Sequence, residues 1–209
     1  MEKLISDDYK RLNEIQHNIK RNIKGRHPYG HTGNLWIPII EWYISMYGRY
    51  DLEDRELIWK GSKIKSILDY GCGGGYFKYY VQKRIDRGCI EYKNIVINEY
   101  DPCIKEKSGQ PKASDLILVA DVLEHVEPEY LSDTLNYIYS LMNIIGFFVI
   151  HLDKGAGTLP DGSEGHRIIK LEQWWIDKLK EHLFISHKLD LTNPYHNCGL
   201  VCMVEKSYE

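Results

Sequence analysis

Asp69-Tyr70-Gly71-Cys72-Gly73-Gly74-Gly75 is the stretch whose reading decides the fold. It follows the apolar run Ile64–Leu68, which reads as a strand, and it precedes Tyr76–Arg87, which reads as a helix. Glycine lets the backbone turn sharply and lets another group approach the main chain closely. The amino terminus of the helix that follows offers free N–H groups to a carboxylate or a phosphate. A glycine turn alone is a weak signal, because dinucleotide sites use one too. Two details separate the cases. The third glycine of a G-x-G-x-x-G turn falls on Tyr76, and Asp69 stands two residues before the first glycine. A carboxylate there repels a pyrophosphate and suits a cationic amino group or sulfonium.

Working outward, Ile95–Glu99 reads as a second strand, and Leu116–Ala120 is the continuous apolar run of a strand covered on both faces. Leu131, Leu135, Ile138, Leu141 and Met142 form a helical stripe, and Phe147–His151 is the next strand. A last helix is marked by Leu171, Trp174, Trp175, Leu179 and Leu183, the tryptophans reading as core, and strands at about 185–191 and 200–205 close the chain. Strand alternating with helix predicts a doubly wound α/β sheet, mostly parallel with an antiparallel last strand. Upstream, Asp7–Lys24 has Leu12, Ile15, Ile19 and Ile23 at helical spacing behind a Ser6 or Asp7 cap, and a second apolar helix spans about 34–47. The expected division is a helical cap or lid over residues 1–60 and one compact α/β unit over 61–209.

Asp69–Gly75 matches the D-x-G-x-G-x-G signature of class I S-adenosylmethionine-dependent methyltransferases, and the chain resembles that superfamily further downstream. Glu99, followed by Tyr100-Asp101-Pro102, is similar to the acidic end of the family's second strand, where the carboxylate receives both ribose hydroxyls. Asp115–His125 resembles the fourth strand and its D-x-L-E-H exit, Asp121-Val122-Leu123-Glu124-His125, a form common in the small-molecule branch. The resemblance implies S-adenosylmethionine as cofactor, held by Asp69, Gly71, Cys72, Gly73, Glu99, Tyr100, Asp121, Val122 and His125. It also implies a Rossmann-like sheet.

One departure is visible in the spacing. Only Cys103–Ser114, interrupted by Gly109 and Pro111, separates the second strand from the run aligned with the family's fourth. A crossover needs at least about 10–12 residues before its return strand. The third strand and its helix are therefore expected to be missing, and with them the residue that meets adenine. Short methyltransferase-like proteins of phage and bacteria are similar in this truncation and in Leu159-Pro160-Asp161-Gly162 and Trp174-Trp175.

Methyl transfer is an in-line displacement in which the protein chiefly holds the nucleophile against the methyl carbon. A base is needed only where the nucleophile must lose a proton. Histidine suits that task near neutral pH. His166, in the glycine-rich loop expected to be adaptable, is the first candidate, and His151 and Asp153 at the end of the fifth family strand follow. Tyr29 and His31, in the breaker-rich loop 26–33, are candidate lid residues. Cys198 and Cys202 lack partner ligands at zinc spacing, and no metal is expected.

The acceptor class follows from what the chain lacks. After the fourth family strand stands Asp121-Val122-Leu123, not the proline-rich motif of amino-methylating nucleic-acid enzymes, and Pro102-Cys103 follows the second strand rather than the fourth. A formal charge of −3 over 209 residues gives no strong field toward nucleic acid. The expected function is methyl transfer to an O or N atom of a small or medium-sized acceptor, a metabolite, nucleotide or sugar. The alternatives are a nucleic-acid methyltransferase and a non-catalytic cofactor-binding partner or regulator. Five cysteines without framework spacing read as free thiols, and no membrane segment or signal peptide is expected, which predicts a cytoplasmic protein.

Overall fold

The computed structural model describes residues 4–24, 35–53, 56–155, 157–189 and 199–205. Helix α1 spans Asp7–Lys24, where expected, and the Ser6 hydroxyl caps it by accepting the Tyr9 N–H at 3.1 Å. Asp7 and Asp8 place negative charge at the positive end of the helix dipole. Helix α2 (Ile37–Met46) is followed by the antiparallel hairpin β1 (Gly48–Glu53) and β2 (Glu56–Ser62), which the apolar pattern did not announce. Tyr50 and Leu52 alternate with charged residues in β1, but Leu57-Ile58-Trp59 in β2 do not alternate, and the register pairs Leu52 with Leu57.

Then come β3 (Ser66–Tyr70), α3 (Tyr76–Asp86), β4 (Val96–Tyr100) and β5 (Ser114–Ala120). They are followed by α4 (Leu131–Leu141), β6 (Met142–His151), α5 (Glu172–Lys180), β7 (Phe184–Lys188) and β8 (Gly199–Glu205). The six-stranded sheet has the order β4-β3-β5-β6-β8-β7. β3, β4, β5 and β6 are parallel, and β8 runs antiparallel to both of its neighbours.

Alternation along the strands builds a core on each face. Leu116, Leu118, Phe147 and Val149 face α2 and α3, where Ile40, Ile44, Phe77 and Val81 are buried. Ile117, Val119, Phe148 and Ile150 face α4 and α5, where Leu135, Ile138, Trp175 and Leu179 are buried. Two-sided coverage is why these strands read as unbroken apolar runs. The first of these cores runs across residue 60, so α2 is one of the layers on the sheet.

The missing third strand is a feature of the structure. Between β4 and β5 the chain makes only a single 3-10 turn, Lys105–Lys107, and β4 is left at the sheet edge beside β3. One expectation needs correction. Trp175 is fully buried, but Trp174, about 100° round the helix from it, is 37% exposed. Two hydrogen bonds close the loop around 157–165: Leu159 N–H donates to the Ser163 carbonyl at 2.8 Å, and Gly165 N–H donates to the Gly157 carbonyl at 3.2 Å. Among the described residues no helix is long and apolar enough to cross a membrane. The described cysteines, Cys72, Cys89, Cys103 and Cys202, are free thiols.

Candidate functional site

The chain leaves β3 toward β4 on one side and later returns as β5 on the other side of β3. A doubly wound sheet opens a crevice beyond the carboxyl ends of its strands at such a reversal. The glycine turn and the exit from β5 meet in that crevice. Gly71 has φ +77°, and a Cβ added to it would stand 2.4 Å from Val122 Cγ2, so this contact and this backbone both require glycine. Gly71 and Cys72 N–H both donate to the Tyr100 carbonyl, at 2.8 and 3.1 Å, which fastens the turn to the end of β4.

Carboxylates crowd this end of the sheet. Asp69 lies inside β3, deeper than the sequence boundary implied, and is the register partner of Glu99 on β4. Burial, and then the nearby charge of Glu99, push the Asp69 pKa up to about 7. Lys107 answers this crowding: its Nζ donates to Glu99 Oε1 at 3.0 Å and to the Gly73 carbonyl at 3.1 Å. Asp101 clamps the turn from the other side, accepting Gly73 N–H on Oδ2 at 3.0 Å and Cys103 N–H on Oδ1 at 2.9 Å. Glu99 lies so close over the start of α3 that a Cβ at Gly75 would stand 2.1 Å from its Oε1.

A cavity of about 520 Å³ runs from this turn to the far end of β6. Gly71, Gly73, Tyr100, Asp121, Val122 and His125 line it, whereas Asp69, Cys72 and Glu99 are not among its lining residues. At the other end His151 and His166 come together with His125. The rings of His125 and His166 are 4.6 Å apart edge to face, and those of His151 and His166 are 5.7 Å apart. Each outer hydrogen bond fixes a tautomer, because a carbonyl can only accept. His125 Nδ1–H donates to the Gly165 carbonyl at 2.9 Å, and His166 Nδ1–H donates to the Asp153 carbonyl at 2.7 Å. Asp153 therefore meets His166 through its main chain, and the residue itself is exposed. Burial, then the neighbouring His166, lower the His125 pKa to about 4.

Behind the histidines lies Glu124, fully buried. Its Oε1 accepts His151 N–H at 3.1 Å, and its carbonyl accepts the N–H groups of Arg167 and Ile168 at 2.7 and 3.0 Å. Burial, then the charge of Asp121, hold its carboxyl well above the usual range.

The roof is α1 itself. Tyr9, Asn13 and His17, four residues apart on one helix face, line the cavity. Four long-range bonds dock this helix: Ser6 N–H to Glu127 Oε2 at 2.8 Å, Ser6 hydroxyl to Glu127 Oε1 at 2.7 Å, Tyr9 hydroxyl to the Gly165 carbonyl at 3.1 Å, and Gln16 Nε2 to the Thr158 carbonyl at 3.0 Å. The Arg167 guanidinium packs 4.6 Å from the centre of the Tyr9 ring. The i, i+4, i+8 set of hydrogen-bonding side chains in an otherwise amphipathic helix was the available sign of this face. Asp101 and Lys107, by contrast, gave no sign, since their role depends on the truncated segment folding back. Tyr29 and His31 lie outside the described residues.

Comparison with models of known protein families gives no match, and comparison with curated protein sequences gives none. Solved structures do match. One is a Burkholderia thailandensis 1,6-didemethyltoxoflavin-N1-methyltransferase with bound 1,6-didemethyltoxoflavin and S-adenosylhomocysteine. It is 13% identical, with a TM-score of 0.59 over 96% of this chain and 90% of that one. A second is a magnesium protoporphyrin IX methyltransferase from Synechocystis PCC 6803 with bound S-adenosylhomocysteine, 14% identical, TM-score 0.52, covering 96% and 97%. A third, a mitomycin 7-O-methyltransferase, is 11% identical with a TM-score of 0.57, covering 95% of this chain and 60% of that one. The chain has the Rossmann-like fold of the class I methyltransferases.

Proposed function

We propose that this chain is an S-adenosylmethionine-dependent methyltransferase acting on an O or N atom of a small or medium-sized acceptor. The observation that carries the reading is the cavity that joins the glycine turn to the histidine cluster. Its size is that of ligand pockets, roughly 300–1,000 Å³, which supports reading the glycine turn as a cofactor end and the histidine cluster as an acceptor end. At the cofactor end, Gly71, Gly73 and Val122 supply close backbone approach, while Asp69 and Glu99 supply negative charge for a cationic cofactor. Tyr100 and Asp121 complete that wall with the buried Cys72 of the turn, and His125 stands where it meets the histidine cluster.

In the reaction the acceptor lone pair forms the new bond to the methyl carbon as the sulfur–methyl bond breaks. The sulfonium becomes a neutral thioether, and the acceptor's proton leaves to a base. His151 and His166 stand at the acceptor end for that proton. We read α1 as the cap that excludes water above them, within a segment 1–60 that also supplies Tyr29 and His31 as lid candidates, and 61–209 as the catalytic unit. Free thiols fit a cytoplasmic setting.

A second reading, a cofactor-binding regulator without turnover, is favoured by one observation. Lys107 already occupies the Glu99 carboxylate that in the family receives ribose hydroxyls. Titration of the protein with S-adenosylmethionine and S-adenosylhomocysteine in a thermal unfolding assay decides the cofactor. Binding at a hundredfold excess over Kd adds about 2.7 kcal/mol, and no shift with either compound at about 1 mM refutes both readings. Incubation with methyl-labelled cofactor and fractionated lysate then decides turnover: label in a small-molecule fraction supports transfer, and binding without label in any fraction supports the regulator.

A further inference from the structure

We infer that Glu124, His125 and His166 bind a divalent first-row transition ion at the acceptor end of the cavity. One ligand atom from each of the three lies within 4.8 Å of the others. The histidine hydrogen bonds are those of metal ligands. Both Nδ1–H groups are spent on backbone carbonyls, of Gly165 and Asp153, which leaves each Nε2 with its lone pair and its ring held in place.

Independent support comes from the carboxylates. Glu124 is fully buried, yet its Oε2 has no hydrogen-bond partner, although such a buried oxygen ordinarily finds one. Asp121, which lines the cavity, likewise has an Oδ1 without a hydrogen-bond partner. The unsatisfied Glu124 oxygen and the two imidazole lone pairs are the donor set that a cation completes. Two nitrogens and a carboxylate oxygen select zinc, manganese, iron or cobalt over magnesium or calcium, which prefer all-oxygen shells.

Three protein ligands leave coordination positions open, and His125 and His166 line the cavity, so those positions face it. On the methyltransferase reading, on which this last step alone rests, an acceptor oxygen coordinates there. The ion makes its proton more acidic, the proton passes to His151, and the oxygen attacks the methyl carbon. His166 is then a ligand rather than the base. Spacing along the chain gave no hint of this site, because the 3-10 turn at Leu123–His125 and the hydrogen-bonded 157–165 loop are what bring Glu124 and His166 together.

The test titrates cobalt(II) into metal-stripped protein and follows the visible d–d bands between roughly 500 and 650 nm. The expected result is one cobalt per chain, displaced by zinc, with affinity at least tenfold weaker in Glu124→Gln and in His166→Ala. Imidazole nitrogen spectra of the wild-type protein with zinc should show two histidines perturbed, a readout that needs no variant. A second set of possible ligands, Glu41, Cys89 and Glu91, lies elsewhere. Thiolate-to-cobalt bands that vanish in Cys89→Ser, with Glu124→Gln unaffected, would place the ion there and overturn the proposal. Absence of cobalt bands at 1 mM overturns it as well. S-adenosylhomocysteine binding measured on the same stripped protein reports separately on the cofactor reading.

Discussion

Replacing Asp69 with asparagine removes an ionisable group and nearly preserves its shape. The folded chain holds the Asp69 proton up to about pH 7, whereas an unfolded aspartate loses it near 3.8. Burial is the main cause and the charge of Glu99 the next. Between those two values the folded state binds the extra proton. The stability associated with the protonated acid is therefore complete below 3.8 and is lost as pH rises toward 7. Each pKa unit is worth about 1.4 kcal/mol, so the cost of the charged form at pH 8 is on the order of 4 kcal/mol. An amide at this position cannot ionise, and the variant escapes that cost. Urea unfolding of both proteins should show the stability difference moving in favour of Asp69→Asn by about 3 kcal/mol from pH 5 to pH 8.

Cofactor binding should move the other way. If a cationic cofactor needs the ionised carboxylate, wild-type affinity falls about tenfold from pH 8 to pH 6, and the variant binds weakly at both. Calorimetric titration with S-adenosylmethionine at the two pH values measures this. Unfolding free energies that change in parallel for both proteins across pH 5–8 would refute the assigned ionisation. An unchanged cofactor affinity in the variant would refute the role of the charge.

Four further outcomes follow from the same geometry. Gly71→Ala should abolish cofactor binding and lower the unfolding midpoint, since its Cβ meets Val122 at 2.4 Å in a backbone conformation that disfavours side chains; binding intact in a folded variant contradicts the close packing. Lys107→Ala should cost about 1–3 kcal/mol in denaturant unfolding, because it strips the counter-charge from Glu99 and leaves Asp69 and Asp101 beside it. Trp175→Ala should cost about 3–5 kcal/mol in the same assay by opening a void between α5 and the sheet, whereas Trp174→Ala should cost far less. Tyr9→Phe, which loses the bond to Gly165, should speed amide exchange in α1 without changing cofactor affinity.

The sheet was legible because its strands carry cores on both faces, which forces long apolar runs such as Leu116–Ala120. The glycine turn was legible for a similar reason: only glycine fits against Val122. The short segment after Glu99 could be counted, and the lost strand followed from the count. What stayed hidden depends on pairs far apart in sequence. Nothing near Tyr9 marks its partner Gly165, and nothing near Lys107 marks Gly73. The hairpin of β1 and β2 is hard to see because the alternation in β1 rests on only Tyr50 and Leu52, and the run Leu57-Ile58-Trp59 in β2 does not alternate. Trp174 reads as core because adjacent aromatics look alike in sequence, although the helix turns about 100° between neighbours and leaves Trp174 toward the solvent side of α5.

The loss of the third strand has a consequence for how this site can be altered. With the crossover gone, Asp101 and Lys107 reach the glycine turn from a single short excursion between Tyr100 and Ser114. Backbone clamp and charge balance are thus encoded together, in one contiguous cassette whose ends are anchored in the two parallel strands that flank β3. Such a cassette is a natural unit for transplantation: exchanging it as a block should retune the cofactor end while leaving the histidine end, built from other segments, as it was.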